Sequence, residues 1–473
     1  MLRPWQLEIQ LAPQSDKAIY LQIADAIIRD IHSGRLKAGD ALPGSRNMAQ
    51  LLHINRNTVV EALNVLINEE WVVSKERKGI FVSETLPSLS GARRSSSTPV
   101  LPETTKGQRY HIQFDDGHPD SKIAPVAALA RAYRQLFNRK ARWQLMGYAD
   151  EYGDPEFRKA IVHMLNHQRG LGITDNAICI TRGSQMAMYL AFRCMIEKGD
   201  HVMVEDPGYK PAWKAAADAG AKLLPVRVDE EGLVIADVMA HLQSRKKIKA
   251  LYTTPHRQYP TTVTLSLQRR LQLIQLSNDY GFTIMEDDYD NEFCFGYRPT
   301  LPLSSFRELK SYIYIGTMSK VVAPALRIGY LVGNSEPFIE KVGALRKIID
   351  VQGDNIMEQA VLQLIKDGTI KRHIRKATLH YKAKRDVTAD LLEKHLQHRA
   401  DYSIPEGGLA FWLTPKKSIN WQHVSDKLLS KGIRIITPDN YSIDTPVNGI
   451  RLSYGALSEE QLEEGITELA KHL

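Results

Sequence analysis

Cysteine is scarce in this chain, with Cys179, Cys194 and Cys294 as the three cysteines among 473 residues. They are widely separated, without a Cys-x-x-Cys spacing or a nearby histidine pair, which argues against a disulfide framework and against a zinc site. Long hydrophobic runs are also missing, since no apolar stretch reaches about 18 residues. Met1 to Glu8 lack the apolar core of a signal peptide. We therefore expect a cytoplasmic protein without a membrane segment or a bound metal.

The excess of positive charge is small. The chain has 62 Lys and Arg against 54 Asp and Glu, a formal net charge of +8. A polyanionic partner is compatible with this charge but not established by it. The hydrophobic content of 43% and charged content of 25% are ordinary for a globular protein. This chain is longer than a single hydrophobic core usually supports, so we expect two or three domains.

One internal stretch, Ser83 to His111, has no apolar periodicity. It is rich in serine, proline and arginine, as in Arg93-Arg94-Ser95-Ser96-Ser97-Thr98-Pro99. Such a composition cannot bury enough surface to offset the entropy of ordering the chain. We interpret residues 84–111 as a linker between an N-terminal domain, 15–83, and a larger domain, 112–473.

Three helices and a hairpin are predicted before the linker. The first helix ends at Ser33-Gly34, the second starts near Ser45, and the third follows Asn55, a plausible N-cap. Residues 71–73 and 80–82 form the hairpin, with a basic tip between them. This pattern predicts a winged helix-turn-helix, whose third helix presents Arg56 and Asn57 to base edges while the wing meets phosphate. Alternatively, these side chains simply solvate a surface helix.

Residues 18–82 resemble the GntR family of bacterial DNA-binding domains. The motifs that carry the resemblance are Tyr20-Leu21-Gln22-Ile23, Gly34-Arg35-Leu36, Gly39-Asp40-Ala41-Leu42-Pro43, Asn55-Arg56-Asn57-Thr58-Val59 and Lys78-Gly79-Ile80-Phe81-Val82. The resemblance implies double-stranded operator DNA as a partner. The expected contacts come from Arg46, Arg56, Thr58, Lys78 and Gly79, together with the outward Asn57. Gly44 and Glu70 depart from the usual serine and glycine of the family.

Strand and helix signals alternate after the linker. Apolar strands are predicted at 177–180, 202–204, 250–252, 282–285 and 312–315, with helical patterns such as 265–280 between them. This alternation predicts an α/β domain with a mostly parallel sheet covered by helices. Ligands of such sheets bind beyond the carboxyl ends of the strands.

Lys320 follows one of these strands. Thr317 and Ser319 precede it and Arg327 follows. A lysine so placed can form a Schiff base with an aldehyde while the hydroxyls and the arginine hold an anionic group. A solvated surface lysine would be the ordinary alternative for a Ser-Lys pair seen alone.

A second strand runs into acids at Glu286-Asp287-Asp288-Tyr289-Asp290. Asp287 can pair with a protonated pyridine nitrogen, and Tyr289 can hydrogen-bond a phenolic oxygen on the same ring. A turn that merely solvates its acids would have the same composition. Together with the lysine loop, this segment is similar to the site of pyridoxal-phosphate (PLP) enzymes.

Two further strand ends supply candidate cofactor contacts. Ser184 and Gln185 open a helix whose backbone N–H groups can cradle a phosphate. Tyr209 follows the turn Pro207-Gly208 and can stack on a ring. A plain N-cap and an ordinary packed tyrosine are the alternatives.

Residues 112–473 resemble the fold type I, class I aminotransferases, through the segments above and through Gly449-Ile450-Arg451-Leu452-Ser453-Tyr454-Gly455. The resemblance implies a large α/β domain with a smaller α+β C-terminal subdomain. It implies that Arg451 grips a ligand carboxylate, and that Tyr148 reaches the phosphate site of the neighbouring subunit in a homodimer. The implied PLP site consists of Tyr148, Ser184, Gln185, Tyr209, Asp287, Tyr289, Thr317, Ser319, Lys320 and Arg327.

One motif departs from the aminotransferase pattern. The Asn-Pro-Thr-Gly motif, whose asparagine binds the phenolic oxygen of the ring, reads Tyr259-Pro260-Thr261-Thr262 here. Without that amide we expect no efficient turnover, although a residual half-transamination stays possible. Gln258 is a candidate geometric substitute.

A GntR-like winged helix, a linker and an aminotransferase-like domain in one chain resemble the MocR/GabR-type regulators. That resemblance implies a PLP-dependent transcriptional regulator, in which PLP or an amino compound acts as effector, and a domain-swapped, head-to-tail homodimer. Two alternatives stay open: an active aminotransferase with a DNA-binding extension, and a regulator for which PLP itself is the signal.

Overall fold

A computed structural model describes residues 9–12, 17–76, 78–86, 110–138, 142–244, 246–290, 292–296, 300–443 and 446–473. These residues fall into two compact units that divide between Thr104 and Thr105. Residues 87–109, most of the predicted linker, lie outside the described residues, as do residues 15 and 16 at the predicted start of the first domain. Within the described part of the chain, no helix combines the length and apolar character needed to span a membrane.

The N-terminal unit consists of three helices and a two-stranded hairpin. Its elements are α1 (Ile19–His32), α2 (Ser45–Leu52), α3 (Arg56–Asn68), β1 (Val72–Lys75) and β2 (Gly79–Val82). The apolar faces of the helices pack with the hairpin into one core, whose fully buried members include Ile27, Met48 and Leu66. The predicted winged helix-turn-helix is confirmed, with helix ends where the sequence placed them.

Asn55 begins α3 as the sequence predicts. Its side-chain oxygen accepts a hydrogen bond from the backbone N–H of Asn57 at 2.8 Å. The cap satisfies one of the backbone donors that the first turn of a helix leaves without a partner. It thereby fixes the first turn of α3, where Arg56 and Asn57 are exposed.

We predict that Asn55→Ala destabilises α3 by about 1 kcal/mol, because the capping acceptor is lost. Hydrogen exchange of the amides of α3 in the full chain measures this loss as reduced protection. Asn55→Ser, which keeps a capping oxygen, serves as the control and should retain protection. Equal protection in the alanine variant would show that the cap does not stabilise this helix.

The second unit has an α/β part and a smaller C-terminal part. In chain order its elements are β3 (Ile112–Gln113), α4 (Val126–Asn138), α5 (Pro155–Arg169), β4 (Ile178–Thr181), α6 (Ser184–Met195), β5 (His201–Asp206), α7 (Lys210–Asp218), β6 (Lys222–Asp229), β7 (Gly232–Leu233), α8 (Ile235–Gln243), β8 (Ile248–Thr253), α9 (Leu267–Tyr280), β9 (Thr283–Asp288), β10 (Tyr312–Thr317), β11 (Gly329–Gly333), α10 (Glu336–Asp350), α11 (Asn355–Lys366), α12 (Thr369–Leu396), β12 (Ala400–Tyr402), β13 (Ala410–Pro415), α13 (Trp421–Ser430), β14 (Ile433–Arg434), β15 (Ile450–Ser453) and α14 (Glu459–Ala470).

The described strands include one eight-stranded sheet in the order β4-β11-β10-β9-β8-β5-β6-β7. Its centre is parallel from β10 to β6. Both faces are buried: Ile284 packs in the apolar cluster on one face, and its neighbour Met285 packs in the cluster on the other. Apolar side chains in consecutive positions are what a strand covered on both faces requires.

The C-terminal part is α+β, as expected. An antiparallel sheet of β12, β13 and β15 packs with α12 and α14 around its own apolar core. Strand β3, from the beginning of the unit, pairs in parallel with β14. The segment after β3 therefore leads from the small subdomain towards the central sheet.

The sheet is more mixed than the sequence pattern indicated. Strand β11 runs antiparallel to both β10 and β4, and β7 pairs antiparallel with β6. Strand β6 alternates between buried and exposed positions, unlike the continuous apolar runs that predicted its neighbours. Strand β11 pairs with β4 across a long stretch of chain, and β7 is a two-residue strand in a tight hairpin with β6, so local periodicity carries little signal for either.

Candidate functional site

A cavity of about 190 Å³ lies at the carboxyl ends of the parallel strands. Segments after β4, β5, β8, β9 and β10 converge there, together with the segment after β3. The lining residues are Asp116, His118, Pro119, Ser184, Tyr209, Tyr252, Thr254, Tyr259, Asp287, Tyr289, Thr317, Ser319, Lys320, Pro324 and Arg327. Of the ten residues predicted for the cofactor site, eight are in this set.

Three consecutive acids end strand β9 and alternate between its faces. On one face, Glu286 accepts hydrogen bonds from the backbone N–H groups of Leu303 and Ser304, both at 2.9 Å. On that face Asp288 accepts a hydrogen bond from the Tyr314 hydroxyl at 2.5 Å. Asp287 points to the other face, because side chains alternate along a strand. It alone of the three reaches the cavity.

Asp287 is buried with one oxygen engaged. Its Oδ2 accepts a hydrogen bond from the hydroxyl of Tyr252 at 2.8 Å, whereas Oδ1 has no hydrogen-bond partner among the described residues. Burial raises the pKa of Asp287 to about 7, and the hydrogen bond from Tyr252 opposes this shift. A cationic N–H group placed at Oδ1 would satisfy this buried oxygen and stabilise the ionised carboxylate.

The raised pKa of Asp287 predicts a pH dependence of stability without cofactor. The folded chain keeps this proton up to about pH 7, whereas an unfolded chain loses it near pH ~4. As the pH rises from about 4 to about 7, the free energy of unfolding of the wild type should therefore decrease relative to that of Asp287→Asn. The decrease should be about 1.4 kcal/mol per unit of pKa difference. Denaturant unfolding of both apoproteins across this range measures the trend, and a constant difference would contradict it.

Lys320 lies in the loop that follows β10. Its amine is 4.0 Å from Oδ2 of Asp290 and 4.5 Å from the ring centre of Tyr289. Burial lowers the pKa of Lys320, and the negative charge of Asp290 opposes the shift. Desolvation thus favours the neutral amine, which is the nucleophilic form.

An anion-binding corner lies on the other side of the cavity. Helix α6 begins there at Ser184, preceded by Gly183 in the left-handed region with φ +83°. A Cβ atom on Gly183 would lie 2.6 Å from Nη2 of Arg327, so a side chain at this position would displace the guanidinium. The buried hydroxyl of Ser319 has no hydrogen-bond partner among the described residues. The helix start, the guanidinium and the free hydroxyl together suit a phosphate.

The residues of the cavity fit pyridoxal phosphate. Oδ1 of Asp287 matches the ring nitrogen, the corner formed by Gly183, Ser184 and Arg327 matches the phosphate, and Lys320 faces the space between them. When bound, this cofactor supplies an electrophilic aldehyde and an electron-withdrawing ring. The tyrosines at positions 209 and 289 would flank the ring.

Two predicted cofactor residues lie outside the cavity lining of this chain. The Gln185 side chain turns away and donates to the carbonyl of Pro211 at 3.2 Å, which leaves its backbone N–H as the group near the helix start. Tyr148 is 92% exposed. The hydroxyl of Tyr289, predicted to face the ring oxygen, donates instead to the carbonyl of Arg257 at 2.9 Å.

Arg451 is 1% exposed and is not among the lining residues. Its Nη1 donates to the carbonyl of Pro260 at 3.1 Å, and its guanidinium lies 5.2 Å from the ring centre of Tyr259. Arg451 thus sits directly behind the loop in which this chain departs from the aminotransferase motif.

Gln258 does not replace the missing asparagine amide. It is 1% exposed, and its Nε2 donates to the carbonyl of Pro207 at 2.7 Å. Its Oε1 accepts from the hydroxyl of Thr261 at 2.6 Å. Both ends are therefore used to brace the loop. Tyr259 itself enters the cavity, and its hydroxyl donates to Oδ1 of Asp116.

Thr262 has φ +65°, in the left-handed region, where the aminotransferase motif has glycine. A β-branched residue is strained there. We predict that Thr262→Gly stabilises the protein by about 1 kcal/mol in denaturant unfolding. Thr261→Gly is the matched control: it removes the hydrogen bond to Gln258 at an ordinary φ and should destabilise. A loss of stability in both variants would rule out strain at Thr262.

The predicted DNA contacts lie on the surface of the N-terminal unit. Arg46 on α2, Arg56 and Asn57 at the start of α3, and Lys78 and Gly79 at the wing are exposed, while Thr58 is half-buried. Nε of Arg56 donates to the hydroxyl of Ser45 at 3.4 Å, which links the first turns of α2 and α3. Arg77, which belongs to the basic wing tip of the sequence, lies outside the described residues.

Several cavity residues were not assigned a role from the sequence, among them Asp116, His118 and Tyr252. Asp116 and His118 come from a segment without a motif, and Tyr252 was assigned only to a strand. His118 pairs with Asp115, with Nδ1 3.0 Å from Oδ2, and this hydrogen bond raises the pKa of His118. A signal for Tyr252 was its position near the end of a predicted strand, because β8 neighbours β9 and both strands end at the cavity.

A buried lysine, a buried carboxylate and a helix-start anion site at one edge of such a sheet define a fold type I PLP-dependent protein. The family model of aminotransferase class I and II matches residues 112–469. The chain belongs to that family. The model of bacterial regulatory proteins of the gntR family matches residues 19–82, on the winged helix.

Two transcriptional regulators are similar to this chain over nearly its whole length. The probable rhizopine catabolism regulatory protein MocR of Rhizobium meliloti is 26% identical, covering 96% of this chain and 94% of its own. The HTH-type transcriptional regulator TauR of Rhodobacter capsulatus is 26% identical, covering 98% of both chains.

Solved aminotransferase structures match the larger unit. An archaeal alanine:glyoxylate aminotransferase is 28% identical with a TM-score of 0.72, covering 76% of this chain and 90% of that chain. The kynurenine aminotransferase of Pyrococcus horikoshii, solved in complex with PMP, is 28% identical with a TM-score of 0.71 and the same coverage.

Proposed function

We propose that this protein is a transcriptional regulator that binds operator DNA through its winged helix and holds pyridoxal phosphate at Lys320. The observation that carries the proposal is a winged helix in the same chain as a cavity whose unpartnered Asp287 and Ser319 oxygens match that cofactor. The names of MocR and TauR, which are similar over nearly the whole chain, support it.

The proposed cofactor contacts combine the cavity lining with a second copy of the chain. Exposed Tyr148 would reach the phosphate of the neighbouring subunit in a domain-swapped, head-to-tail homodimer, with residues 84–111 as the linker. Gln185 would contribute its backbone N–H, and Arg451 would bind a carboxylate on the effector. The remaining contacts are Ser184, Tyr209, Asp287, Tyr289, Thr317, Ser319, Lys320 and Arg327.

The effector is PLP or an amino compound that competes with Lys320 for the aldehyde of the cofactor. Such a ligand changes DNA binding only if it binds two conformations of the protein with different affinity. The DNA contacts proposed for the winged helix are Arg46, Arg56, Asn57, Thr58, Lys78 and Gly79.

Active transamination is the second candidate function. Lys320 and Asp287, which line the cavity, and Arg451, which matches the aminotransferase pattern in the sequence, favour it. Tyr259 argues against it, since a phenol that donates to Asp116 replaces the asparagine amide of the aminotransferase motif. Sustained product formation with 2-oxoglutarate and a panel of amines would establish the enzyme, and a single turnover at most would support the regulator.

We predict that PLP changes the affinity of the wild type, and not of Lys320→Ala, for DNA upstream of its own gene. The reason is that Lys320 is the group that fixes the aldehyde carbon of the cofactor. Fluorescence anisotropy of apoprotein, PLP-loaded protein and Lys320→Ala with added PLP makes the comparison. If none of the three binds specifically, the regulator proposal fails.

A panel of amines tests the case in which PLP alone does not change the affinity for DNA. If apo and loaded wild type bind DNA alike, an amino compound is expected to supply the signal, and its addition should separate the loaded wild type from Lys320→Ala. An Arg56→Ala variant serves as the DNA-binding control. It should lose affinity with and without PLP, because a groove contact is lost while the cofactor site stays intact.

A further inference from the structure

Asp116 places a carboxylate in the cavity wall. It is half-buried, lies in the segment between β3 and α4, and is close enough to Lys320 for a direct electrostatic interaction. The other acid among the described lining residues is Asp287, which is fully buried and oriented by Tyr252. Asp116 is therefore the acid that remains to meet a ligand beside the cofactor.

A rigid phenol orients Asp116. The hydroxyl of Tyr259 donates to its Oδ1, and no described side chain donates a hydrogen bond to Oδ2. Tyr259 is 6% exposed and packs edge-on against the rings of Tyr209, at 5.1 Å, and Tyr441, at 5.9 Å. The carboxylate is thus held in one orientation, with its second oxygen open to a donor from the cavity.

The same carboxylate lies in the electrostatic range of Arg451. The negative charges of Asp290 and Asp116 both stabilise the positive charge of that guanidinium. A ligand carboxylate that reaches Arg451 therefore brings a second negative charge close to Asp116, which is unfavourable in a buried site. A positive group on the same ligand, placed at Oδ2 of Asp116, removes that cost and adds a charge-assisted hydrogen bond.

Building on the proposed function, we infer that Asp116 selects the effector: an amino compound with a second protonated amine besides the one directed at the cofactor. The second amine binds Asp116 without covalent change. The departure at Tyr259 contributes to this selection, because its hydroxyl donates to Oδ1 of Asp116 and orients the carboxylate.

Matched ligand pairs test the inference on the PLP-loaded full chain by isothermal titration calorimetry. Ornithine and norvaline differ only in the terminal amine, as do 1,4-diaminobutane and butylamine. We expect the diamino member of each pair to bind at least about tenfold more tightly. Equal affinities within both pairs, or no binding of any of the four ligands, would overturn the inference.

Asp116→Asn is the decisive variant. Its amide oxygen still accepts the hydrogen bond from Tyr259, while the charge is removed, so a merely structural role of Asp116 would leave the ligand preference unchanged. We expect the preference to disappear. Its persistence would overturn the inference. Cofactor absorbance verifies that the variant still holds PLP.

A second variant guards against misfolding of the first. Tyr259→Phe removes the hydrogen bond that orients Asp116 but keeps its charge, so the preference for diamino ligands should be smaller than in the wild type but still present, and its complete loss would count against the inference. The proposed function is tested separately, because PLP loading and its effect on DNA affinity do not depend on which amine binds.

Discussion

Burial of three consecutive carboxylates on strand β9 is the constraint on which the rest of the site depends. An ionised carboxylate in the interior is costly unless it is paired or hydrogen-bonded. Glu286 and Asp288 meet this requirement with backbone N–H groups and the Tyr314 hydroxyl, which ties the segment at Leu303 and strand β10 to β9. Oδ2 of Asp287 accepts a hydrogen bond from Tyr252, whereas Oδ1 has no partner among the described residues. Oδ1 therefore marks the position at which a cationic group of a ligand would bind.

The anion site depends on a second constraint, which is close backbone approach. Strand β11 lies between β10 and β4, so that Gly329 stands opposite Thr181 and also opposite Thr317. A Cβ atom at Gly329 would lie 2.5 Å from the backbone of Gly183. The antiparallel insertion of β11 therefore brings the loop of Arg327 to the start of α6, although the two segments are about 145 residues apart.

The loop around Tyr259 departs in sequence from the aminotransferase motif, and the Tyr259 side chain lines the cavity. Tyr259 stands where the aminotransferase motif has asparagine, and its phenol contacts Asp116 on one side and Arg451 on the other. Tyr259 therefore lies between one charge in the cavity wall, Asp116, and one buried charge, Arg451.

Much of the fold and of the candidate site could be predicted from the sequence alone, because it depends on residues that are close together along the chain. The end of α1, the cap of α3 at Asn55, the start of α6 at Ser184 and the central strands follow from periodicity and capping, which involve neighbours along the chain. Lys320 and Asp287 were identifiable because Lys320 follows one buried strand and Asp287 lies at the end of another. The tertiary structure alone decided that β11 inserts antiparallel, that the side chain of Gln185 turns away and that Asp116 enters the cavity. These features depend on which distant segments pack together, and no short sequence pattern encodes that pairing.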